Sequence, residues 1–392
     1  MQIRPSKRLA SLGTYAFSAV DDKAADLKAR GVKVIDFGVG DPTTPTPSFI
    51  RQALKKAVDV RASSGYPSYV GSPEFRKAVA DWTRRRHGVR LDPATEICAT
   101  VGAKEAVFHF PEAILNPGEY ALVPTPGYPP YTRGAQFAEG RAFYLPLTRE
   151  RGFLPDLKRI PASVLKRARI LWINYPNNPT GAVAPASFYR EALAFSRRHG
   201  LILASDEAYS ELWDGPKAPA SALQFSIEGV IAFQSFSKRS AMTGWRIGWV
   251  AGDRRIVALF KKTKTNIDSG TPTFIQDAAA VSLRDERHVA AMRKEYRLKR
   301  DLLCAGLKRL GCRDCSPPGT IYVWQEAPKG MSGEEFALRL LDPRIGIVTT
   351  PGAWISERGP DGTNPGERYV RFALVPSVKD VKEAVRRMER AL

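Results

Sequence analysis

The chain has 392 residues, of which 43% are hydrophobic and 26% are charged, and its formal net charge is +20. These are ordinary values for a globular protein with one large domain and a smaller one, and no apolar run approaches the roughly 18 residues of a membrane span. Because the basic residues are scattered over predicted helices instead of forming a tail, we expect anionic small-molecule ligands, no nucleic-acid or membrane partner, and a cytoplasmic location.

The first part of the chain combines a glycine-rich turn with an aromatic loop. A predicted helix over Ala19–Arg30 leads to a strand over Val34–Phe37, and the glycines that follow, Gly38 and Gly40, allow a ligand to approach the backbone closely. Further on, Tyr66 lies in a rigid Gly/Pro-rich loop. That loop either packs against the protein or reaches a ligand or a partner subunit.

Two further strands end in turns suited to a flat, phosphorylated ligand. The predicted strand Ile97–Thr100 runs into a helix whose first residues include Ala103 and Lys104, and such a start presents backbone N–H groups and a positive dipole end to a phosphate. After the strand Ala121–Pro124, Tyr128 stands between glycine and proline, where its ring can stack on a heterocycle. Many strand–helix turns look alike, so neither motif identifies a ligand alone.

Two polar motifs follow strands in the middle of the chain. The strand Arg169–Ile173 runs into the loop NYPNNPTG, whose prolines hold the backbone around Asn178 rigid. The strand Leu201–Ala204 precedes Asp206, and Tyr209 follows three residues later. Taken alone, an aspartate at a strand end is most often a helix cap.

A lysine stands where a buried strand meets a polar turn. In the stretch IAFQSFSKRSAMTGWRIGWVAG, Ser235, Ser237 and Lys238 follow the strand Ile231–Phe233, and Arg246 precedes a second strand. Partial burial lowers the pKa of an amine and frees its lone pair for carbonyl chemistry. The two hydroxyls and the arginine suit a phosphate dianion. Taken alone, however, the segment is more often a solvated turn.

A long charged helix, Val289–Leu310, marks the entry into a second domain. In that domain a predicted strand, Tyr369–Leu374, carries Arg371, and a helix over Val378–Leu392 closes the chain. We predict an N-terminal arm with part of the small domain at 1–47, a large domain at 48–288 and a C-terminal small domain at 289–392. The alternation of strands and helices predicts an α/β fold with a mainly parallel sheet covered on both faces.

The cysteines show no metal-binding pattern. Cys312 and Cys315 form a single C-x-x-C pair, with no second pair and no histidine at ligand spacing, while Cys98 and Cys304 stand apart. We therefore expect reduced thiols and no metal.

Together these motifs resemble the class I and II aminotransferases of fold type I, which use pyridoxal 5'-phosphate. The likeness extends over nearly the whole chain and keeps the order of that family's motifs. It implies a large domain with a mainly parallel seven-stranded sheet sandwiched by helices, a smaller α+β domain, and a homodimer with shared active sites. It also implies a ping-pong reaction, in which an amino acid donates its nitrogen and a keto acid takes it up.

The resemblance implies three catalytic residues, Lys238, Asp206 and Tyr209. Lys238 would form a Schiff base with the cofactor and then move the substrate proton. Asp206 would pair with the pyridine nitrogen. Tyr209 and Asn178 would hydrogen-bond the ring oxygen, and Tyr128 would stack on the ring.

The resemblance also implies how the phosphate and the substrate are held. The phosphate would accept hydrogen bonds from groups of Ala103, Lys104, Ser235, Ser237 and Arg246, while Tyr66 would reach the phosphate of the neighbouring subunit. Arg371 would grip the substrate α-carboxylate through two parallel hydrogen bonds. Asn178 and the backbone near Gly38 would assist it.

Several segments are most similar to the aminotransferases of the diaminopimelate pathway, among them IDFGVGDP, YPSYVGSPEFRKAV, NYPNNPTGAV and DEAYSEL. Those enzymes act on LL-diaminopimelate or its N-succinyl derivative, with 2-oxoglutarate as the acceptor. The alternative is an aspartate or broad-specificity aminotransferase of the branch whose GGK turn directs a lysine at the distal carboxylate. Lys104 occupies that place, although the turn here reads GAKE.

Two other functions would keep part of the same scaffold. An enzyme that eliminates a β-substituent from cysteine conjugates would retain Lys238 and Asp206. A transcriptional regulator would need a DNA-binding module ahead of Gly38, where we expect none.

Overall fold

The computed structural model describes residues 3–10, 18–42 and 44–391. Residues 1–2, 11–17, 43 and 392, which belong to the predicted N-terminal arm and to the end of the predicted closing helix, lie outside the described residues. The strands of the described part are, in chain order, β1 (Ile35–Asp36), β2 (Ile97–Thr100), β3 (Tyr120–Thr125), β4 (Arg141–Pro146), β5 (Ala168–Asn174), β6 (Ile202–Asp206), β7 (Val230–Ser235), β8 (Gly248–Gly252), β9 (Tyr322–Glu326), β10 (Ile347–Val348), β11 (Thr350–Pro351) and β12 (Tyr369–Ala373).

The largest sheet over the described ranges has seven strands and is mainly parallel. Its order is β2-β8-β7-β6-β5-β3-β4, and within it β8 alone runs against its neighbours. The carboxyl ends of β5, β6 and β7 therefore meet at one edge, where these strands end at Asn174, Asp206 and Ser235. The predicted seven-stranded, mainly parallel sheet is confirmed.

Helices cover this sheet and build the rest of the fold. In chain order they are α1 (Lys7–Ala10), α2 (Ser18–Ala29), α3 (Ser48–Val60), α4 (Pro73–His87), α5 (Gly102–His109), α6 (Pro130–Phe137), α7 (Ala162–Leu165), α8 (Ala186–His199), α9 (Phe236–Arg239), α10 (Arg254–Lys264), α11 (Thr273–Ser282), α12 (Arg287–Arg309), α13 (Gly333–Leu340) and α14 (Val378–Ala391). In the described part of the chain, none of them combines the length and the apolar character that crossing a membrane requires.

Alternate residues of each strand face the two opposite helix layers. On β5, Leu171 and Ile173 pack in a core with α4, α8 and α11, whereas Ile170 and Trp172 pack in a second core with α5, α6 and α10. This is the alternation expected of a strand buried on both faces. Burying each large apolar side chain contributes about 1.5–3 kcal/mol, so the two layers hold the sheet edge rigidly.

A third core joins both ends of the chain. Ile35 and Phe37 pack with buried residues of α12, β9, α13, β12 and α14. Next to this core, β1 pairs in parallel with β10, and β11, β12 and β9 form an antiparallel sheet. This is the predicted smaller α+β unit. The boundaries at 47/48 and 288/289 stay predictions, since Tyr209 and Leu212 also belong to this core.

Three local features differ from the predicted elements. The helix that begins at Gly102, which we expected to run to about Leu115, ends at His109 and continues as a 3₁₀ turn, because Pro111 cannot donate a backbone hydrogen bond to the helix. Lys238 lies in a one-turn helix, α9, not in an open turn. Finally, α6 and β4 were not predicted.

Candidate active site

Lys238 lies just beyond the carboxyl end of β7. The side chain of Ser235 caps α9 by accepting a hydrogen bond from the Ser237 N–H at 3.1 Å, and Lys238 is the next residue. The half-buried amine donates to the carbonyl oxygen of Gly40 at 2.5 Å. Burial lowers the pKa of this amine from 10.5 to about 8; the charge of Asp41 raises it and the charges of Arg371 and Arg246 lower it. The amine is therefore available as a base and nucleophile near neutral pH.

Asp206 is the last residue of the neighbouring strand, β6, and is only 4% exposed. The Tyr131 hydroxyl donates to its Oδ2 at 2.6 Å, and the Ala208 N–H donates to its Oδ1 at 3.1 Å. Burial raises the pKa of the carboxyl, and these two hydrogen bonds lower it. Both donors are neutral, so a cationic N–H brought against this carboxylate would compensate for its burial.

Asn174, at the end of β5, connects Asp206 to the loop that carries Asn178. Its amide nitrogen donates to the backbone carbonyl of Asp206 at 2.9 Å, and its amide oxygen accepts from the Asn178 N–H at 2.8 Å. The Asn178 side chain is buried, and its oxygen accepts from Arg371 at 3.3 Å. One asparagine thus fixes the relative positions of two predicted site residues.

Aromatic residues surround the same sheet edge. The hydroxyl oxygens of Tyr209 and Tyr322 lie 2.9 Å apart, and burial raises the pKa of Tyr209 well above its usual value, so this phenol stays protonated. Tyr128 is half-buried and meets the ring of Tyr131 edge-on, with 5.8 Å between centroids. Its predicted stacking on a cofactor ring stays a prediction.

The start of α5 forms a polar cradle. Val101, the residue before the helix, offers no side-chain hydrogen bond to the first N–H groups. A Cβ added to Gly102 would lie 2.6 Å from a guanidinium nitrogen of Arg246, so the absence of that atom leaves room for the arginine. Gly248 pairs with Ser235, and a Cβ there would lie 3.2 Å from the Ala103 N–H nitrogen. The cradle therefore consists of the backbone N–H groups at the start of α5, with Ser235 and the guanidinium of Arg246 beside them.

Arg371 on β12 faces the same region from the smaller unit. It donates to the Gly38 carbonyl at 2.9 Å, and it lies close enough to Lys238 to lower the pKa of that amine. Its Nε is buried without a hydrogen-bond partner among the described residues. A guanidinium with an unused N–H can donate that N–H to a substrate carboxylate.

Two predicted site residues have exposed side chains. Tyr66 is 92% exposed, and no hydrogen bond or ring contact within the described ranges joins it to the other site residues. The side chain of Lys104 is also exposed, although its backbone belongs to the first turn of α5. The remaining predicted residues surround the ends of β2, β5, β6 and β7.

Three residues that touch the site were missed by sequence reasoning: Tyr131, Asn174 and Tyr322. Asn174 begins the loop NYPNNPTG, four residues before Asn178, and Tyr131 lies three residues after Tyr128. Their spacing from a predicted site residue was an available signal. Tyr322 offered none, because its role depends on a strand far away in the sequence.

These residues fit pyridoxal phosphate on three observations. The cradle at α5 suits a phosphate, since a helix start with free N–H groups and a nearby arginine is a ready anion site. The buried carboxylate of Asp206 suits a protonated pyridine nitrogen. The amine of Lys238, with its lowered pKa, suits an aldehyde.

Comparisons with known proteins agree with this chemistry. The family model described as "Aminotransferase class I and II" matches residues 32–388. A protein named LL-diaminopimelate aminotransferase from Syntrophobacter fumaroxidans is 43% identical over 388 residues, which cover 98% of each chain. The solved structure of a probable N-succinyldiaminopimelate aminotransferase from Thermus thermophilus is 33% identical, with a TM-score of 0.87 over 96% of this chain and all of that one. A single mutant of aspartate aminotransferase from Thermus thermophilus is 29% identical, with a TM-score of 0.90 over 100% of both chains.

Proposed function

The chain belongs to the class I and II aminotransferases, enzymes that use pyridoxal 5'-phosphate, and on this premise we propose that it transfers the amino group of LL-diaminopimelate, or of its N-succinyl derivative, to 2-oxoglutarate. The observation that carries the choice of substrate is the 43% identity, over almost the full length, to a relative named for LL-diaminopimelate. The surplus positive charge of +20 suits substrates with several carboxylates. A place in lysine biosynthesis follows from that substrate, and the cytoplasm is the proposed compartment.

In the proposed mechanism, Arg371 binds the substrate carboxylate. Its guanidinium already donates to Gly38 and Asn178, and these contacts fix its plane. Fixed donors lower the entropy cost of orienting a substrate. The substrate Cα is thereby held on the side of the site where Lys238 lies.

The bound cofactor supplies an electron-withdrawing ring that stabilises negative charge at the substrate Cα. Asp206 holds a proton at the ring nitrogen as an ionic partner, and Tyr131 and Asn174 fix the position of Asp206. Tyr209 donates to the ring oxygen. The Lys238 amine would take the proton from the substrate Cα and return it at the C4′ carbon of the cofactor.

We propose a homodimer in which Tyr66 serves the partner's site. The 92% exposure of this tyrosine leaves its hydroxyl available to a second subunit. The resulting sites would be shared between two copies of the chain.

The second candidate function is transamination of aspartate. The exposed side chain of Lys104 at the start of α5 favours it, since a lysine there can meet a distal carboxylate. The similarity in fold to an aspartate aminotransferase supports the same alternative.

A panel of amino donors tests the proposal. LL-diaminopimelate, its N-succinyl derivative, aspartate and alanine are each offered with 2-oxoglutarate, and glutamate formation is measured. We expect one of the diaminopimelates to exceed aspartate at least ~10-fold in kcat/KM, a difference of about 1.4 kcal/mol in transition-state binding. A preference for aspartate would select the alternative. Release of pyruvate and ammonia from a cysteine conjugate, tested separately without a keto acid, would indicate β-elimination.

A further inference from the structure

Tyr322 lies where three groups of the proposed site meet. Its hydroxyl oxygen is 2.9 Å from that of Tyr209, and its ring centroid is 4.6 Å from the guanidinium carbon of Arg371. A Cβ added to Gly40 would overlap the Tyr322 hydroxyl, so the backbone of Gly40 lies directly against it. The Gly40 carbonyl is the acceptor of the Lys238 amine. Tyr322 therefore contacts Tyr209 and Arg371 directly. It also contacts Gly40, whose carbonyl holds the amine of Lys238.

The register of the antiparallel sheet explains the contact with Arg371. Tyr322 on β9 is directly opposite Ala373 on β12, and Arg371 is opposite Trp324. Directly opposed residues share a face of the sheet, so Tyr322 and Arg371 are diagonal neighbours on one face. An aromatic ring and an arginine reach each other across such a diagonal.

The backbone on either side of Tyr322 is also tied to Tyr209. The Tyr322 N–H donates to the hydroxyl of Thr320 at 3.1 Å, and the Thr320 N–H donates to the Leu212 carbonyl at 2.8 Å. Leu212 in turn donates its N–H to the Tyr209 carbonyl at 2.9 Å. With Tyr322 only 3% exposed, neither phenol can turn away without breaking this packing.

We propose that Tyr322 is a positioning residue of the transamination site, orienting Tyr209 through its hydroxyl and Arg371 through the face of its ring. The inference rests on the proposed function, because it takes Tyr209 and Arg371 as site residues.

The two contacts act on different parts of the reaction. When the Tyr322 O–H donates a hydrogen bond to the Tyr209 oxygen, the Tyr209 O–H is directed elsewhere and is available to donate to the cofactor ring oxygen. Burial keeps Tyr209 protonated, as this role requires. The ring face attracts the Arg371 guanidinium and fixes its plane. Its buried Nε, which has no hydrogen-bond partner in the described part of the chain, is thereby presented to a carboxylate.

Two substitutions separate these effects. Tyr322→Phe removes the hydroxyl and keeps the ring, whereas Tyr322→Leu removes both. Tyr189→Phe is the matched control, because Tyr189 is a buried tyrosine that loses one hydrogen bond, to the Ala220 carbonyl at 3.2 Å, and stacks on Phe225 away from the site. Holoenzymes are compared by pH titration of the bound-cofactor absorbance and by the dissociation constant of an amino-acid donor in the half-reaction.

We expect Tyr322→Phe to raise the midpoint of the absorbance titration by ~0.5 pH unit or more, because a weaker Tyr209 donor stabilises the ring oxygen anion less. Its donor dissociation constant should stay within about twofold of the parent. Tyr322→Leu should show the same shift together with a roughly tenfold weaker donor affinity, and Tyr189→Phe should show neither.

Coincident titrations of Tyr322→Phe and the parent would overturn the inference, as would an unchanged donor affinity in Tyr322→Leu. If thermal unfolding shows that Tyr322→Leu does not fold, the test rests on comparing the absorbance titration of Tyr322→Phe with that of the Tyr189→Phe control. Failure of the proposed site itself would look different. In that case the Lys238→Ala single variant would have the same bound-cofactor absorbance spectrum as the parent enzyme.

Discussion

The environment of Lys238 brings the pKa of its amine closer to neutral pH. Burial lowers the pKa of its amine to about 8, and of the charges that act on it, Asp41 opposes this effect while Arg371 and Arg246 add to it. The Gly40 carbonyl accepts a hydrogen bond from the amine. A change in a single neighbouring charge should therefore move the titration of this group.

Replacing Asp41 with asparagine should lower the pKa of Lys238 further. The negative charge of Asp41 favours the ammonium form, so its removal favours the neutral amine at lower pH. The rate at which apoenzyme captures pyridoxal phosphate covalently, measured by borohydride trapping, rises with pH as the amine loses its proton. We expect the midpoint of that rise near pH 8 in the parent and roughly half a unit or more lower in Asp41→Asn.

Asp81→Asn is the control for this experiment, because Asp81 pairs with Lys77 on the exposed surface of α4. Its midpoint should equal that of the parent. A midpoint that stays in place or rises in Asp41→Asn would show that Asp41 does not act on the titrating amine.

At the scale of elements, the turn into α5 depends on one glycine. Gly102 has a φ of +74°, a conformation that L side chains rarely adopt, and its missing Cβ makes room for the guanidinium of Arg246. Both properties serve the cradle where the phosphate is proposed to bind.

Gly102→Ala should weaken the binding of pyridoxal phosphate ~10-fold or more, because the new Cβ displaces Arg246 from the helix start. The left-handed backbone should also cost about 1–2 kcal/mol of stability. Gly88→Ala isolates that second effect, since Gly88 has a φ of +71° and nothing within 4 Å of an added Cβ. Equilibrium titration of the apoenzymes and thermal unfolding measure both effects. Equal cofactor affinities in the two variants would contradict the proposed cradle.

How much the sequence could predict depended on whether a contact was local. Asp206 and Lys238 follow short apolar strands, and parallel strands bring their carboxyl ends together, so their common location at one sheet edge was predictable. The hydrogen bond from Tyr131 to Asp206 was not, because it requires α6 to pack on β5 through Trp172. The contact of Tyr322 with Arg371 depends on the register of two strands distant in sequence, which no local pattern specifies.

At the scale of the whole molecule, we propose that a second copy of the chain completes the site. Tyr66 is exposed to solvent, although the resemblance assigns it to a phosphate. A second copy of the chain is the proposed recipient of its hydroxyl.

Mixed dimers test this sharing. Lys238→Ala and Tyr66→Ala chains are each expected to be impaired, but a dimer of the two contains one site with an intact lysine and an intact tyrosine. An equal mixture, reassociated after mild dissociation, should therefore recover about a quarter of the parent activity. Lys238→Ala mixed with Arg246→Ala should recover almost nothing, because both residues are proposed to serve the site of their own chain. Equal recovery in the two mixtures would contradict a contribution of Tyr66 across the interface.

The pairing of β1 with β10 has a consequence for biosynthesis on the ribosome. Gly38 and Thr350, which are hydrogen-bonded beside this pair, are separated by 312 positions in the chain. Ile35 and Phe37 emerge early from the ribosome, but their packing partners are translated near the end of the chain. These two side chains therefore stay exposed while the seven-stranded sheet can already assemble. Nascent chains stalled before β10 should consequently bind chaperones through this early apolar segment and release them only after β12 and α14 have also been made.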